Sequence, residues 1–159
     1  MPDLITHGCI GLLWKGRPQS QHVASFVAGN LLPDLLARVP SMGLNLLRDR
    51  GLPISDVALY IWGPFHMPVG MALSAYMLSF LTPEQGRGAV FRSLLGGMLL
   101  HLGTDMLQYH YGVGYLLFYP FWRRSFEFGV IGSEDSVYLA PLLVVLTGWV
   151  WWRRAKTIR

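Results

Sequence analysis

The chain has 159 residues, enough for one domain around one core. Apolar residues make up 52% and charged residues only 14%, against an ordinary charged share of about 25%, which points to a membrane protein or a deeply buried helical bundle. The net charge of +4 is spread in pairs such as Arg123-Arg124 and Arg153-Arg154; it reads as membrane-flanking charge and argues against a nucleic-acid partner.

The first expected helix runs from about Leu4 to Trp14 and is too short to span a membrane; Lys15-Gly-Arg-Pro18 ends it. Asp3 and His7 interrupt this opening and no basic stretch precedes it, so it does not read as a signal peptide. Cys9 excludes an intrachain disulfide and a paired-cysteine metal site, and is expected to be a small buried hydrophobe. A second segment, about Gln19 to Leu36, has an apolar part more like an embedded helix than a span. Pro33 is expected to kink or end it just where Asp34 appears. Arg38 to Pro53 forms a polar-apolar connector with room for a short interfacial helix.

The third segment starts at the N-cap signal Ser55-Asp56 and runs to Leu81, long enough to cross a bilayer core of about 30 Å at about 1.5 Å per residue. Pro64 and Pro68 bracket His66, so the backbone should distort there. Thr82-Pro83-Glu84-Gln85 looks like a capping box for a fourth segment that extends to about Tyr109. Tyr115 to Arg124 is aromatic and then basic, as suits a membrane interface. Ser133-Glu134-Asp135 is a helix-start signal, and Val137 to Trp152 reads as a short final span with a basic tail. These elements predict an all-α, membrane-embedded bundle of five or six helices forming a single domain over 1–159, with no sheet of more than trivial size.

Ligand-type side chains recur in these apolar segments. His101 and Asp105 lie four apart within Ser93 to Leu107, on one helix face about a turn from each other. His7, Asp34 and His66 sit in similar surroundings. An unpaired buried charge costs several kcal/mol or more, so five such groups on four apolar segments predict a polar site between helices. His and Asp together suit zinc, and mixed N/O sites also accept manganese or iron. His22, His110 and Asp3 are further candidates, each more simply read as interfacial or solvated.

The ordered set Met1-Pro-Asp-Leu-Ile-Thr-His7, Gly29-Asn-Leu-Leu-Pro-Asp34, His66 ahead of an apolar helix, His101-x-x-x-Asp105 and Leu117-Phe-Tyr-Pro-Phe121 resembles the inner-membrane metal-dependent hydrolases of bacteria. That family is in turn similar to zinc-dependent phospholipase C and the fungal single-strand nucleases, all-helical enzymes with a multinuclear zinc site. The resemblance implies His7, Asp34, His66, His101 and Asp105 as metal ligands, a multi-pass inner-membrane location, and hydrolysis of a phosphoester. The nucleophile would be a water on the metal, with Asp34 or Asp105 as candidate base and membrane lipids or another amphiphile as substrate. One departure stands out. Many members carry His-Arg-Gly-x-Thr-His-Ser ahead of the third helix, whereas this chain has Ile61-Trp-Gly-Pro-Phe-His66-Met. Only the second histidine is present, so either His22 or His110 replaces the first or the site holds fewer metals. Two other classes compete: a haem carrier using His66 and His101 as axial ligands, which would leave the aspartates unexplained, and a non-catalytic membrane adaptor that keeps the His/Asp cluster as packing.

Overall fold

The computed structural model describes residues 4–15, 22–109, 114–119, 121–132 and 135–156. Among them the helices of three turns or more are α1 (Leu4–Lys15), α2 (Val23–Pro33), α3 (Val39–Asp49), α5 (Pro68–Ser79), α6 (Glu84–Asp105) and α7 (Ala140–Lys156). A single-turn helix, α4 (Asp56–Tyr60), a π-helical turn at Asp34–Arg38 and 3-10 turns at Gly63–His66 and Asp135–Leu139 complete the helical part. The expectation of an all-α chain holds. The strands are two residues each, β1 (Gln108–Tyr109) and β2 (Ile131–Gly132), paired in parallel.

α6 is the central element. α2 and α6 approach closely at Gly29 and Gly97: a Cβ on Gly29 would overlap the Leu94 carbonyl oxygen, and one on Gly97 that of Phe26. On the side of α6 facing α5, Met71, Ala75, Leu94, Met98 and Leu102 make the apolar core. α1 packs on α2 and α7, with Trp151 Nε1 donating to the Leu12 carbonyl at 3.3 Å. Cys9 is buried, as expected.

Three local expectations are corrected. The segment from Ser55 to Leu81 is not one helix. Ser55 does cap its start, accepting from the Ala58 amide at 3.2 Å, but the chain breaks at Gly63–His66. Met67 there is extended, with φ −110 and ψ 153, because the ring of Pro68 crowds the residue before it out of the helical region. Second, the regular α2 does end at Pro33, but the helical path does not. The chain continues through a π-helical turn, Asp34–Arg38, straight into α3. The Val39 amide reaches back five residues to the Asp34 carbonyl, and the wide turn lies between Pro33 and Pro40, neither of which can donate a backbone hydrogen bond. Third, Thr82 makes no capping box. Its hydroxyl donates to the Ser79 carbonyl at 2.6 Å, closing the end of α5, so α6 starts behind Pro83 without a side-chain cap.

Among the described residues no helix is long and apolar enough to cross a membrane. The outward faces are nonetheless apolar. α3 buries none of its residues and exposes Val39, Met42, Leu46 and Leu47, a helical spacing characteristic of amphipathic helices lying in an interface. α7 exposes Leu142, Val145, Trp149 and Trp152.

Candidate metal centre

The irregularities of the fold meet at one place. The start of α1 supplies His7, the π turn Asp34, the 3-10 turn His66, and the last turn of α6 both His101 and Asp105. All five are buried, and His7, His101 and Asp105 have no exposed surface at all (0%). Asp34, His66, His101 and Asp105 offer ligand atoms within 4.8 Å of one another.

The distances have the scale of a coordination shell. His66 Nε2 lies 2.9 Å from Asp105 Oδ2 and 3.1 Å from His101 Nε2. His101 Nε2 lies 3.4 Å from Asp105 Oδ2 and 3.8 Å from Asp34 Oδ1. Ligand atoms of a tetrahedral ion at about 2.0–2.2 Å stand roughly 3.3–3.6 Å apart, in the middle of that range. His7 joins from the other side, with Nε2 3.1 Å from Asp105 Oδ1 and 4.0 Å from Asp34 Oδ2. Each carboxylate therefore turns one oxygen towards His7 and the other towards His66 and His101.

Hydrogen bonding at the far edges of the rings says where their protons are. His101 Nδ1 lies 2.8 Å from the Asn30 carbonyl, which can only accept, so Nδ1 carries the hydrogen and Nε2 turns its lone pair to the cluster. The Thr104 hydroxyl gives its hydrogen to the His101 carbonyl at 2.8 Å. Its oxygen is then left to accept from His7 Nδ1 at 3.2 Å, which turns the His7 Nε2 lone pair towards Asp105. Lone pairs face lone pairs between His7 and Asp105, and the His101 Nε2 lone pair points to His66 Nε2, 3.1 Å away. A proton or a cation must lie between them. The donor set, its spacing and this convergence of electron pairs fit a divalent metal ion.

Several groups around the five were not legible as site residues. Tyr115 donates its hydroxyl to Asp105 Oδ2 at 2.7 Å. Burial, reinforced by the Asp105 carboxylate, pushes its phenol well above the ordinary value, so it stays a donor. Asn30 is fully buried and its side-chain amide donates to the His7 carbonyl. Gln108 Nε2 reaches Asp105 Oδ1 at 3.5 Å, the limit of hydrogen bonding. Arg38 Nε stands 3.2 Å from Asp34 Oδ1. The spacing Asp34 to Arg38, four apart like His101 to Asp105, was the available signal for Arg38; no pattern marks Tyr115, which arrives from a loop.

His22 is not at the site. It lies before α2, where its carbonyl accepts from Ser93 Oγ at 2.9 Å, two turns of α6 away from His101. It caps no helix with its side chain. Asp3 and His110 lie outside the described residues.

No curated protein and no solved structure matches the chain. A family model does, over residues 3–159. The match takes in every element that carries a site residue, α1, the π turn, the 3-10 turn and the end of α6, and on it the chain belongs to the YdjM inner membrane protein family.

Proposed function

We propose that this protein is a membrane-bound, metal-dependent hydrolase that acts on a phosphoester, with a lipid or similar amphiphile as substrate and zinc as its ion. The observation that carries the reading is the convergence of five buried ligand-type side chains whose carboxylates each face two ways. Buried His and Asp ligands of this kind are what metal-dependent phosphoester hydrolases use to hold their ions. His7, Asp34, His66, His101 and Asp105 would hold the metal, which would supply Lewis acidity towards a water and a phosphoryl oxygen.

The chain's own residues do the rest. The Asn30 carbonyl and the Thr104 hydroxyl fix the rings of His101 and His7. Tyr115 holds Asp105. Asp34 Oδ1 is buried with no aligned hydrogen-bond donor among the described residues, which leaves its lone pairs available to a metal. The lipid reading has support beside the site. A cavity of about 470 Å³ is lined by Leu117, Phe118, Trp122, Arg124, Ser125 and Phe126. Phe126 and Tyr115 form a hydrogen-bonded antiparallel bridge, with amide–carbonyl distances of 2.9 and 3.2 Å. Residues opposed in such a bridge share a face, so Phe126, which lines the cavity, stands beside the residue whose hydroxyl reaches the metal centre. The interfacial face of α3 and the apolar face of α7 would meet the bilayer.

Detergent-purified protein should contain stoichiometric metal by elemental analysis. On phospholipid and generic phosphodiester substrates with zinc or manganese supplied, wild type should turn over, and His101→Ala and Asp34→Ala should lose activity by at least about a hundredfold. Equal rates for all three would remove catalysis from these residues. Metal without turnover on any substrate class would leave a non-catalytic membrane adaptor with a metal-bound core. Tyr115→Phe should keep the fold and weaken zinc binding about tenfold, because it removes one hydrogen bond to a ligand carboxylate; competition against a chromogenic chelator measures this, and unchanged affinity would exclude Tyr115 from the site's support.

A further inference from the structure

We propose that Arg38 is the anion-holding group of this centre and that it commits the site to phosphoryl oxyanions rather than neutral esters. The inference rests on the hydrolase reading and adds its substrate class. Arg38 closes the π turn that begins at Asp34. Its Nε stands 3.2 Å from Asp34 Oδ1 and its Nη2 3.9 Å from Asp105 Oδ2. Neither contact is an aligned hydrogen bond: Asp34 Oδ1 has no hydrogen-bond partner among the described residues, and 3.9 Å is beyond hydrogen-bond reach. Its Nε and Nη2 face the two carboxylates, and the side chain as a whole keeps 17% of its surface exposed.

Charge then decides what Arg38 does. Without a cation, Asp34 and Asp105 together outweigh the one guanidinium. If the cluster held a divalent ion, the two carboxylates would be balanced by it, and Arg38 would be left with an uncompensated charge beside a second cation. Two like charges at that range need an anion between them. A guanidinium carries five donors in a planar fork that matches the oxygens of a phosphoryl group, whereas a neutral ester carbonyl adds no charge to compensate. The π turn supplies the placement, since it sets Asp34 and Arg38 over the same cluster from one widened turn. A role confined to steering Asp34 would show in metal affinity alone.

Protein purified in detergent would be titrated first with zinc and then with inorganic phosphate, followed by calorimetry. Wild type should bind phosphate only when loaded with zinc. Arg38→Gln should hold zinc to within about threefold of wild type and bind phosphate at least about tenfold more weakly, with Arg38→Lys between the two because it keeps the charge and loses the fork. Triethyl phosphate, which is neutral, should bind neither form. The proposal is overturned if zinc-loaded wild type takes up no phosphate, if Arg38→Gln binds phosphate like wild type, or if zinc and phosphate affinity fall together in Arg38→Gln. Absence of zinc binding by wild type would strike down the hydrolase reading and this inference with it; zinc binding without Arg38-dependent phosphate binding strikes down this inference alone.

Discussion

Replacing Asp105 with alanine is expected to abolish metal uptake and turnover and to destabilise the bundle by about 3–5 kcal/mol, the usual cost of removing one partner from a buried charged network. Asp105 is fully buried and stands within about hydrogen-bond reach of five side chains: Tyr115, His66, His7 and His101 at 2.7, 2.9, 3.1 and 3.4 Å, and Gln108 at 3.5 Å. Alanine leaves all five without the carboxylate they face, in a fully buried position. Asp105→Asn separates the two effects. It keeps the volume and can still accept from Tyr115, so the fold should persist, while the loss of charge and of one ligand oxygen should lower metal affinity by at least about a hundredfold. Thermal melts in detergent with and without zinc read both. Wild-type protein should gain melting temperature with zinc, as any ligand of the folded state requires, and Asp105→Asn should not. A zinc-dependent rise of equal size in Asp105→Asn would take Asp105 out of the ligand set.

The second large effect is steric and lies a turn away from the site. Gly97→Ala places a methyl group inside the Phe26 carbonyl, and Gly29→Ala does the same at the Leu94 carbonyl. Backbone cannot give as a flexible side-chain end can, so α2 and α6 must move apart. The expected loss is about 2–4 kcal/mol for either variant, in the upper range for overpacking. The damage should reach the metal centre, because Asn30 follows Gly29 directly and His101 is one turn beyond Gly97. Displacing these helices breaks the 2.8 Å contact between His101 Nδ1 and the Asn30 carbonyl that orients the ring. Gly43→Ala in α3 and Gly148→Ala in α7 are the controls: a Cβ at either meets nothing within 4 Å, and each should be neutral or gain up to about 1 kcal/mol from helix propensity. If Gly97→Ala melts like the controls and keeps wild-type zinc affinity, the close approach of α2 and α6 is not what positions the site.

The sequence by itself determined the composition of the cluster and the helical class. Apolar runs of helical length without β-branched blocks leave little alternative to helices, and His or Asp in such runs must find partners; that is enough to single out His7, Asp34, His66, His101 and Asp105. It also marked Ser55 as a cap and the two prolines around His66 as a distortion. What it could not decide were the effects set by distant neighbours. Pro33 does end the regular α2, but local rules see only its missing amide and its ring and not the π turn by which the chain runs on into α3. Thr82 looked like an N-cap, but its hydroxyl goes to the nearer Ser79 carbonyl. Apolar length suggested a span from Ser55 to Leu81, whereas the break at Gly63–His66 turns His66 into the cluster. Arg38, four residues after Asp34, had a local signal, but Tyr115, Asn30 and Thr104 entered the site only through tertiary structure. Their roles depend on which carbonyl, carboxylate or ring lies across a gap of about 3 Å, and hydrogen bonds of that reach join residues far apart in sequence, where no local pattern records them.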